Sequence, residues 1–372
     1  MHEPVISISR RTRRTPFSSR IEAQGVGGFT VYNHMLLPTF FRGLEEDYHH
    51  LKRHVQVWDV TCEQQVEVAG PDAARLVQLM TPRDISRLAP GRCAYAPLVD
   101  ETGGMINDPV ILRLADDRFW ISLADSDVAL WGKGLALGLG LDARVFEPGV
   151  GPIAVQGPKA DDLLSRVLGD EVRDIRFFGF AVLPFAGHPF VVARSGWSKQ
   201  GGFEIYIDDA PGGQALWDAL FAAGGDLCAG PGCPNLIERI EGALLSHGND
   251  MTLANNPFEC ALDRFVNLES PVEFIGRDAL ERIRDSGGPD RIIRGIRFDG
   301  AAAPACVEPW PVLRSGAPAG QVTSAAWSPD LATNIALAMV ERSAWDPGTP
   351  VSVASPDGTR DGEVTTLPFT GR

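Results

Sequence analysis

An α+β protein ending in a small β-barrel is what the sequence predicts, on three observations. Between residues 44 and 245, apolar runs of helical spacing interleave with short alternating runs that read as strands. A strand, Gly-Pro, helix pattern occurs twice, at Val68-Ala69-Gly70-Pro71-Asp72 and at Val155-Gln156-Gly157-Pro158-Lys159, which suggests two subdomains of related design. From Arg291 onward the chain changes to short strands punctuated by Gly and Pro, the pattern of a small barrel or sandwich.

The elements follow in order. Residues 1–28 read as an irregular arm closing at Gly25-Val26-Gly27-Gly28, and Phe29 to Pro38 as one extended segment stopped by the proline. Leu44 to Val57 is expected to be helical from the spacing of Leu44, Tyr48, Leu51 and Val55, with strands at Val57–Val60 and Gln65–Ala69. Gly70-Pro71-Asp72 breaks the chain and caps a helix whose inner face carries Ala73, Leu76, Val77 and Met80. A strand meander runs through Cys93–Val99, a turn at Asp100–Gly104, Met105–Leu114 and Arg118–Leu123, and a helix is expected over Asp125–Leu141. Further helices are expected at Ala160–Leu168, Ala215–Ala223 and Leu236–Leu245 (the last capped by Asn235), with strands at Phe177–Phe185 and Phe190–Ala193. The final strands are Ile292–Phe298, Gln321–Ser324, Ile335–Val340, Val351–Val353 and Val364–Leu367, after a linker at Asp285–Asp290. The expected domains are 1–150, 151–288 and 289–372.

Composition narrows the function. Apolar content of 44% and charged content of 22% are those of a globular protein in water. A net charge of −14 argues against nucleic acid as a partner, because phosphate binding needs a basic surface. The basic run Arg10-Arg11-Thr12-Arg13-Arg14 reads as a solvated or locally paired N-terminal arm rather than a targeting signal. No stretch is apolar for long enough to span a bilayer, and no secretory signal is recognised, so a cytoplasmic location without membrane contact is expected. The six cysteines are scattered without a Cys-x-x-Cys pair, and His49, His50 and His54 lack a third ligand type beside them, so buried thiols and no metal are expected.

One stretch carries chemistry. In Arg194-Ser195-Gly196-Trp197-Ser198-Lys199-Gln200-Gly201-Gly202-Phe203-Glu204-Ile205-Tyr206-Ile207 a turn rich in Gly and Ser leads into a strand. Period two places the Glu204 carboxylate and the Tyr206 phenol on one face, opposite Phe203, Ile205 and Ile207, with Trp197 at the mouth of the turn. An indole, a carboxylate and a phenol held together can grip a flat heterocycle or a small cation. The plain alternative is a surface hairpin.

Several motifs, in order over nearly the whole chain, resemble the folate-dependent aminomethyltransferase family, the T-protein of the glycine cleavage system. They are Glu101-Thr102-Gly103-Gly104-Met105-Ile106-Asn107-Asp108, Gln156-Gly157-Pro158, the Gly196–Tyr206 run, Arg239-Ile240-Glu241-Gly242, Gly248-Asn249-Asp250-Met251, Thr323-Ser324 with Ser328-Pro329, and Leu367-Pro368-Phe369. Other stretches depart from T-protein wording: Arg11–Pro16, Tyr32–Pro38, His54–Asp59, Arg194–Gly202 and Gly230–Asn235. These resemble the branch of the family that demethylates dimethylsulfoniopropionate (DMSP). The resemblance implies three domains in a cloverleaf around a central folate channel, tetrahydrofolate as the methyl acceptor and DMSP as the donor, with a homodimer as one expected assembly.

By matched position the resemblance implies that Asp108 approaches folate N5 and is the catalytic residue, and that Tyr95, Asp108, Trp197, Glu204 and Arg239 bind folate. Glu204 would accept from the pterin amino group and ring N–H. Asn107 stands where the family usually has a second aspartate, which removes one possible base. Tyr32, Asn33, Phe178, Trp197 and Tyr206 are the candidates for the DMSP pocket, and Lys199 and His34 are alternative anchors for its carboxylate. Aminomethyl or betaine-methyl transfer, and a folate-binding regulator without catalysis, are the competing readings.

Overall fold

The computed structural model describes residues 8–370, so the start of the N-terminal arm, residues 1–7, and residues 371–372 lie outside the description. Contacts divide the chain into two compact units that interleave in sequence. One runs through Gln65 and takes in 148–196 and 200–235; the other holds 66–147, 197–199 and the chain from Leu236 onward.

The first unit is built on a six-stranded sheet in the order Phe180–Phe185, His188–Ala193, Gly202–Ile207, Gly151–Gln156, Val55–Asp59, Ala229–Gly232. All neighbours are antiparallel except the last pair. Ile153 lies opposite Asp59, so strand pairing crosses residue 150 and joins the start of the chain to the segment after it. Apolar residues from the helices Ala160–Leu168 and Ala210–Ala223 cover one face, with Leu163, Leu164, Leu216, Trp217 and Leu220 fully or almost fully buried. The N-terminal arm is not wholly irregular: Ser18–Ala23 is a helix, and Phe17 packs its ring 5.0 Å from that of Trp217. Arm and core are joined by apolar burial that strand and helix periodicity do not reveal.

Phe29 to Pro38 is a hairpin rather than a single extended segment. Strands Gly28–Tyr32 and Met35–Phe40 pair around a two-residue turn in which Asn33 and His34 have φ of 48° and 62°. Two successive positive φ values give the turn whose twist matches paired strands, and Asn tolerates that region. The helix expected from Leu44 to Val57 stops at Arg53, and Val55–Asp59 is a fully buried strand instead. A strand buried on both faces has no alternation, so Val55 fits either pattern.

The second unit contains a five-stranded antiparallel sheet, in the order Arg144–Phe146, Gln65–Ala69, Arg118–Ser122, Val110–Ala115, Arg92–Tyr95. Helices Ala73–Leu79 and Val128–Gly138 pack on it through a core that includes Val68, Leu76, Val77, Met80 and Ile121. Asp72 does not cap the first of these helices; its carboxylate instead accepts the Asp142 N–H at 2.8 Å, tying the helix start to the following loop. The C-terminal strands close into a six-stranded barrel: Arg291–Phe298, Thr333–Glu341, Ala317–Ser328, Trp310–Arg314, Pro350–Ser355, Gly358–Thr365. Trp310–Arg314 is the strand missing from the sequence expectation, its alternation broken by Pro311. Among the described residues no helix is long and apolar enough to cross a membrane.

The repeated strand, Gly-Pro, helix pattern is real in both units. Gly70 and Gly157 take φ of 130° and 122°, and a Cβ would lie 2.7 Å from the Asp142 carbonyl oxygen at the first and 2.3 Å from the His54 carbonyl oxygen at the second. Both obstacles are backbone, so neither can swing aside, and only glycine fits. Gly157→Ala is expected to lose on the order of 3 kcal/mol of stability, read as a lowered midpoint in urea unfolding.

Candidate functional site

Four of the five expected folate residues fall in the second unit, in two groups: Tyr95 with Asp108, and Arg239 with Trp197. Tyr95 ends the strand Arg92–Tyr95, and its hydroxyl donates to Asp108 Oδ2 at 3.0 Å. Asp108 follows the strand Met105–Asn107 and keeps partial exposure. Desolvation pushes its carboxyl up to about 7, against the hydrogen bonds from Tyr95 and the backbone, and the nearby Asp250 carboxylate pushes it the same way. Desolvation also holds the Tyr95 phenol well above its ordinary range, with the Asp108 charge adding to it.

Asp250 is the residue that sequence reasoning gave no role. Its side chain is fully buried and forms an ion pair with Arg239 at 2.8 Å. It also accepts from the Ser246 N–H at 2.9 Å and from the hydroxyls of Thr323 and Ser324, both at 2.6 Å. Consecutive strand residues normally point to opposite faces, but the register shifts between Val322 and Ser324. That bulge lets two successive hydroxyls from the barrel strand reach one carboxylate. Arg239, on the buried helix Leu236–Glu241, donates its other Nη to Ser324 Oγ at 2.6 Å and sits 5.8 Å from the Trp197 ring. Arg239 does not lie on a solvated helix face: its side chain is 6% exposed. Both Asp250 and Thr323-Ser324 lay within motifs of the family resemblance, so the signal was present without its chemistry.

Asn107 explains its own departure from the family's pair of aspartates. Its amide donates to Ala124 O at 3.2 Å and Ser126 Oγ at 2.7 Å, and its oxygen accepts from the N–H groups of Asp108 and Ala124. A carboxylate could not donate to the Ala124 carbonyl. Asn107 therefore braces the backbone that presents Asp108.

In the first unit, Glu204 and Tyr206 lie on the central strand Gly202–Ile207, every residue of which is buried. The expectation of one polar and one apolar face holds for side-chain direction, but both faces are covered, so the plain surface hairpin is excluded. Desolvation raises the Glu204 carboxyl, opposed by the hydrogen bond that the Ser195 hydroxyl donates to it. Asn33 is buried and donates from Nδ2 to Cys62 O at 2.9 Å, serving the hairpin turn. Tyr32 is partly buried at the end of the same hairpin. Phe178, with φ of 53°, packs edge-on against the exposed Phe177 ring at 4.7 Å. Of the two alternative carboxylate anchors, His34 is exposed in the turn, and Lys199 is exposed in the second unit with its backbone N–H held by Glu238 Oε1 at 2.6 Å. Among the described residues no cluster of three or more His, Cys, Asp or Glu side chains could hold a metal ion.

Residues 17–270 match the model of the GCVT N-terminal domain, and residues 291–370 that of the glycine cleavage T-protein C-terminal barrel domain. The chain belongs to the glycine cleavage T-protein family. Within it, the chain is 55% identical over 352 residues to dimethylsulfoniopropionate demethylase DmdA of Ruegeria pomeroyi, covering 95% of this chain and 96% of that one. An aminomethyltransferase of Synechococcus sp. (strain RCC307) is 33% identical over 304 residues, covering 81% of this chain and 83% of its own. The solved glycine cleavage system aminomethyltransferase T of Bartonella henselae has the same fold, with a TM-score of 0.84 at 24% identity over 96% of this chain and 98% of that one.

The two influences on Asp108 have opposite signs, which makes them separable. Tyr95→Phe removes a hydrogen bond to the charged form and is expected to move the Asp108 carboxyl above about 7. Asp250→Asn removes a like charge and is expected to move it below about 7. Carboxyl-carbon NMR titration of the free protein reads both shifts. A second test concerns Asn107: Asn107→Asp is expected to lower stability by about 1–3 kcal/mol, measured by chemical unfolding, through loss of its two donors.

Proposed function

We propose that the chain catalyses tetrahydrofolate-dependent demethylation of DMSP, giving 3-(methylthio)propanoate and 5-methyltetrahydrofolate. The carrying observation is the gap between 55% identity to a DMSP demethylase across nearly the whole chain and 33% to an aminomethyltransferase. The proposal includes a cytoplasmic location, a homodimer, and a C-terminal domain beginning near residue 289.

The residues present fit a folate. Glu204 is a buried carboxylate supported by the neutral hydroxyl of Ser195, with desolvation as the largest influence on it. Two adjacent N–H donors, as a pterin edge offers, would relieve that desolvation without a buried cation. When bound, tetrahydrofolate supplies N5 as the nucleophile that takes the methyl group.

A sulfonium carries its own leaving group, since displacement at the methyl carbon releases a neutral thioether. The protein therefore needs no acid at sulfur and no metal. Its work is to hold nucleophile and methyl in line and to exclude water. Asp108 is assigned the proton released at N5: a carboxyl near 7 is part ionised at neutral pH and can accept it. Tyr95 fixes the orientation of that carboxylate through its hydroxyl. Trp197 and Arg239 are assigned to folate, with the guanidinium held by Asp250 and Ser324. Tyr206, Tyr32, Phe178 and Trp197 are assigned to the sulfonium, which aromatic faces attract by roughly 0.5–2 kcal/mol each, and Asn33 to the same pocket through the hairpin it stabilises. A carboxylate against the sulfonium would hold the ground state more tightly than the transition state, in which the positive charge is dispersed.

Purified protein with tetrahydrofolate and DMSP is expected to form methylthiopropanoate and 5-methyltetrahydrofolate in equal amounts. Folate binding without turnover would overturn the proposal. Asp108→Asn is expected to lower kcat by about 100-fold or more and to abolish the acid limb of the pH–rate profile near 7. The sign for stability is opposite. A carboxyl raised by folding stabilises the fold below its unfolded value near 4, and that contribution is lost as pH rises through about 7. Asp108→Asn is thus expected to be as stable as the parent at pH 8 or more so, measured by thermal unfolding.

A further inference from the structure

In the second unit, one histidine that the chemistry above does not use joins the backbone before Asp108 to the turn that carries Asp250. His247 lies in that turn, and its Nε2 is 3.3 Å from the carbonyl oxygen of Met105, the first residue of the strand leading into Asp108. A carbonyl only accepts, so the nitrogen facing it carries the proton and the neutral ring keeps a bare lone pair on Nδ1. Nδ1 is buried and finds no partner among the described residues. Burial lowers the His247 pKa, against the Met105 bond and the Asp125 carboxylate, so the ring is neutral at pH 7.

The turn is closed on itself. The N–H groups of Asn249 and Asp250 donate to Ser246 O at 3.1 and 2.8 Å, and the Gly248 N–H donates to Met251 O at 2.8 Å. The Asn249 amide adds a bond to Ser246 Oγ at 3.0 Å, and Gly248, with φ of 89°, supplies the left-handed residue that so tight a return needs. Asp250 is fixed further by Arg239, Thr323 and Ser324. With so many internal bonds the turn moves as one piece, and the His247 ring keeps a set relation to the Asp250 carboxylate. On the facing side, the Met105 N–H donates to Asn255 O at 2.8 Å and Asn107 holds the Ala124–Ser126 loop, so the strand is also stiff.

We propose that His247 is a positioning residue that ties the strand presenting Asp108 to the Asp250 turn, and so fixes the separation of the two carboxylates. Its bearing on turnover rests on the reading of Asp108 given above. Two like charges act on each other less as they part, and a loosened strand admits water to Asp108. Both effects work in one direction, towards a more acidic Asp108.

Two variants separate the bond from the bulk of the ring. In His247→Gln the amide nitrogen stands as many bonds from Cβ as Nε2 does and can donate to Met105; in His247→Asn it has only the reach of Nδ1. Carboxyl-carbon NMR titration of the free protein reads the result. His247→Asn is expected to bring the Asp108 carboxyl below about 7 by about half a pH unit or more, and to shrink the further effect of Asp250→Asn about twofold or more. His247→Gln is expected to keep the parent titration and the full effect of Asp250→Asn. Identical Asp108 titrations in the parent and His247→Asn would overturn the inference. So would equal displacement in both variants, which would assign the effect to packing of the ring. Nitrogen-15 NMR of the parent at pH 7 needs no variant to fold: a proton on Nε2 is expected, and a proton on Nδ1 would overturn the inference. With tetrahydrofolate and DMSP, the acid limb of kcat/KM is expected to move down with the Asp108 titration in His247→Asn. No turnover in the parent would overturn the functional reading and leave the NMR tests of His247 standing.

Discussion

The structure buries carboxylates in two ways, against guanidinium groups, as at Asp47, Glu67 and Glu259, or against hydroxyls without a cation. Asp59 is held by Thr15 and Thr61, Glu204 by Ser195, Asp108 by Tyr95, and Glu241 by Ser328. A hydroxyl satisfies an oxygen lone pair but supplies no net charge, so desolvation wins and the carboxyl stays raised at Asp59, Glu204 and Asp108. A guanidinium in the same place would pull the group down and leave a satisfied ion pair with nothing further to offer. Carboxyls raised in this way keep the capacity to accept a ligand N–H or a proton.

Asp250 is the contrast that clarifies the rule. It has a cation, two hydroxyls and a backbone N–H, the full complement that a buried charge requires. Such a group is a poor catalyst and a good anchor. It fixes Arg239 from one side while the bulge at Thr323 fixes Asp250 from the other, so the barrel strand contributes to the placement of a guanidinium on a separate helix of the same unit. The barrel in this sense orients Arg239, through two hydroxyls that a break in strand register brings to one carboxylate.

The legible and illegible parts of the sequence divide along physical lines. The barrel, the helices Ala73–Leu79 and Ala160–Leu168, and the Gly-Pro repeat were readable because each has a local cause: period, breaker, or a glycine that nothing else can replace. The hairpin at Asn33-His34, the end of the helix at Arg53 and the helix in the arm were not, because they depend on pairing and burial against distant segments. Among site residues, Glu204 and Tyr206 could be seen to share a face from period two alone, and Asp108 and Arg239 came only from the family resemblance. Asp250 and Ser324 lie 74 residues apart. No spacing rule links them.

Asn107 shows why one residue type must be read with its neighbours. As a departure from an aspartate pair it reads as the loss of a base, a subtraction from the chemistry. In place, its amide uses both donor and acceptor capacity to join the backbone before Asp108 to the Ala124–Ser126 loop. An aspartate there would face the Ala124 carbonyl with a second charge beside a carboxyl already raised to about 7. That charge would push Asp108 further towards its protonated form, where it accepts no proton. Replacing one carboxylate by an amide keeps the other usable at neutral pH. A sulfonium donor, which asks the protein for one proton acceptor and no acid, loses nothing by the exchange.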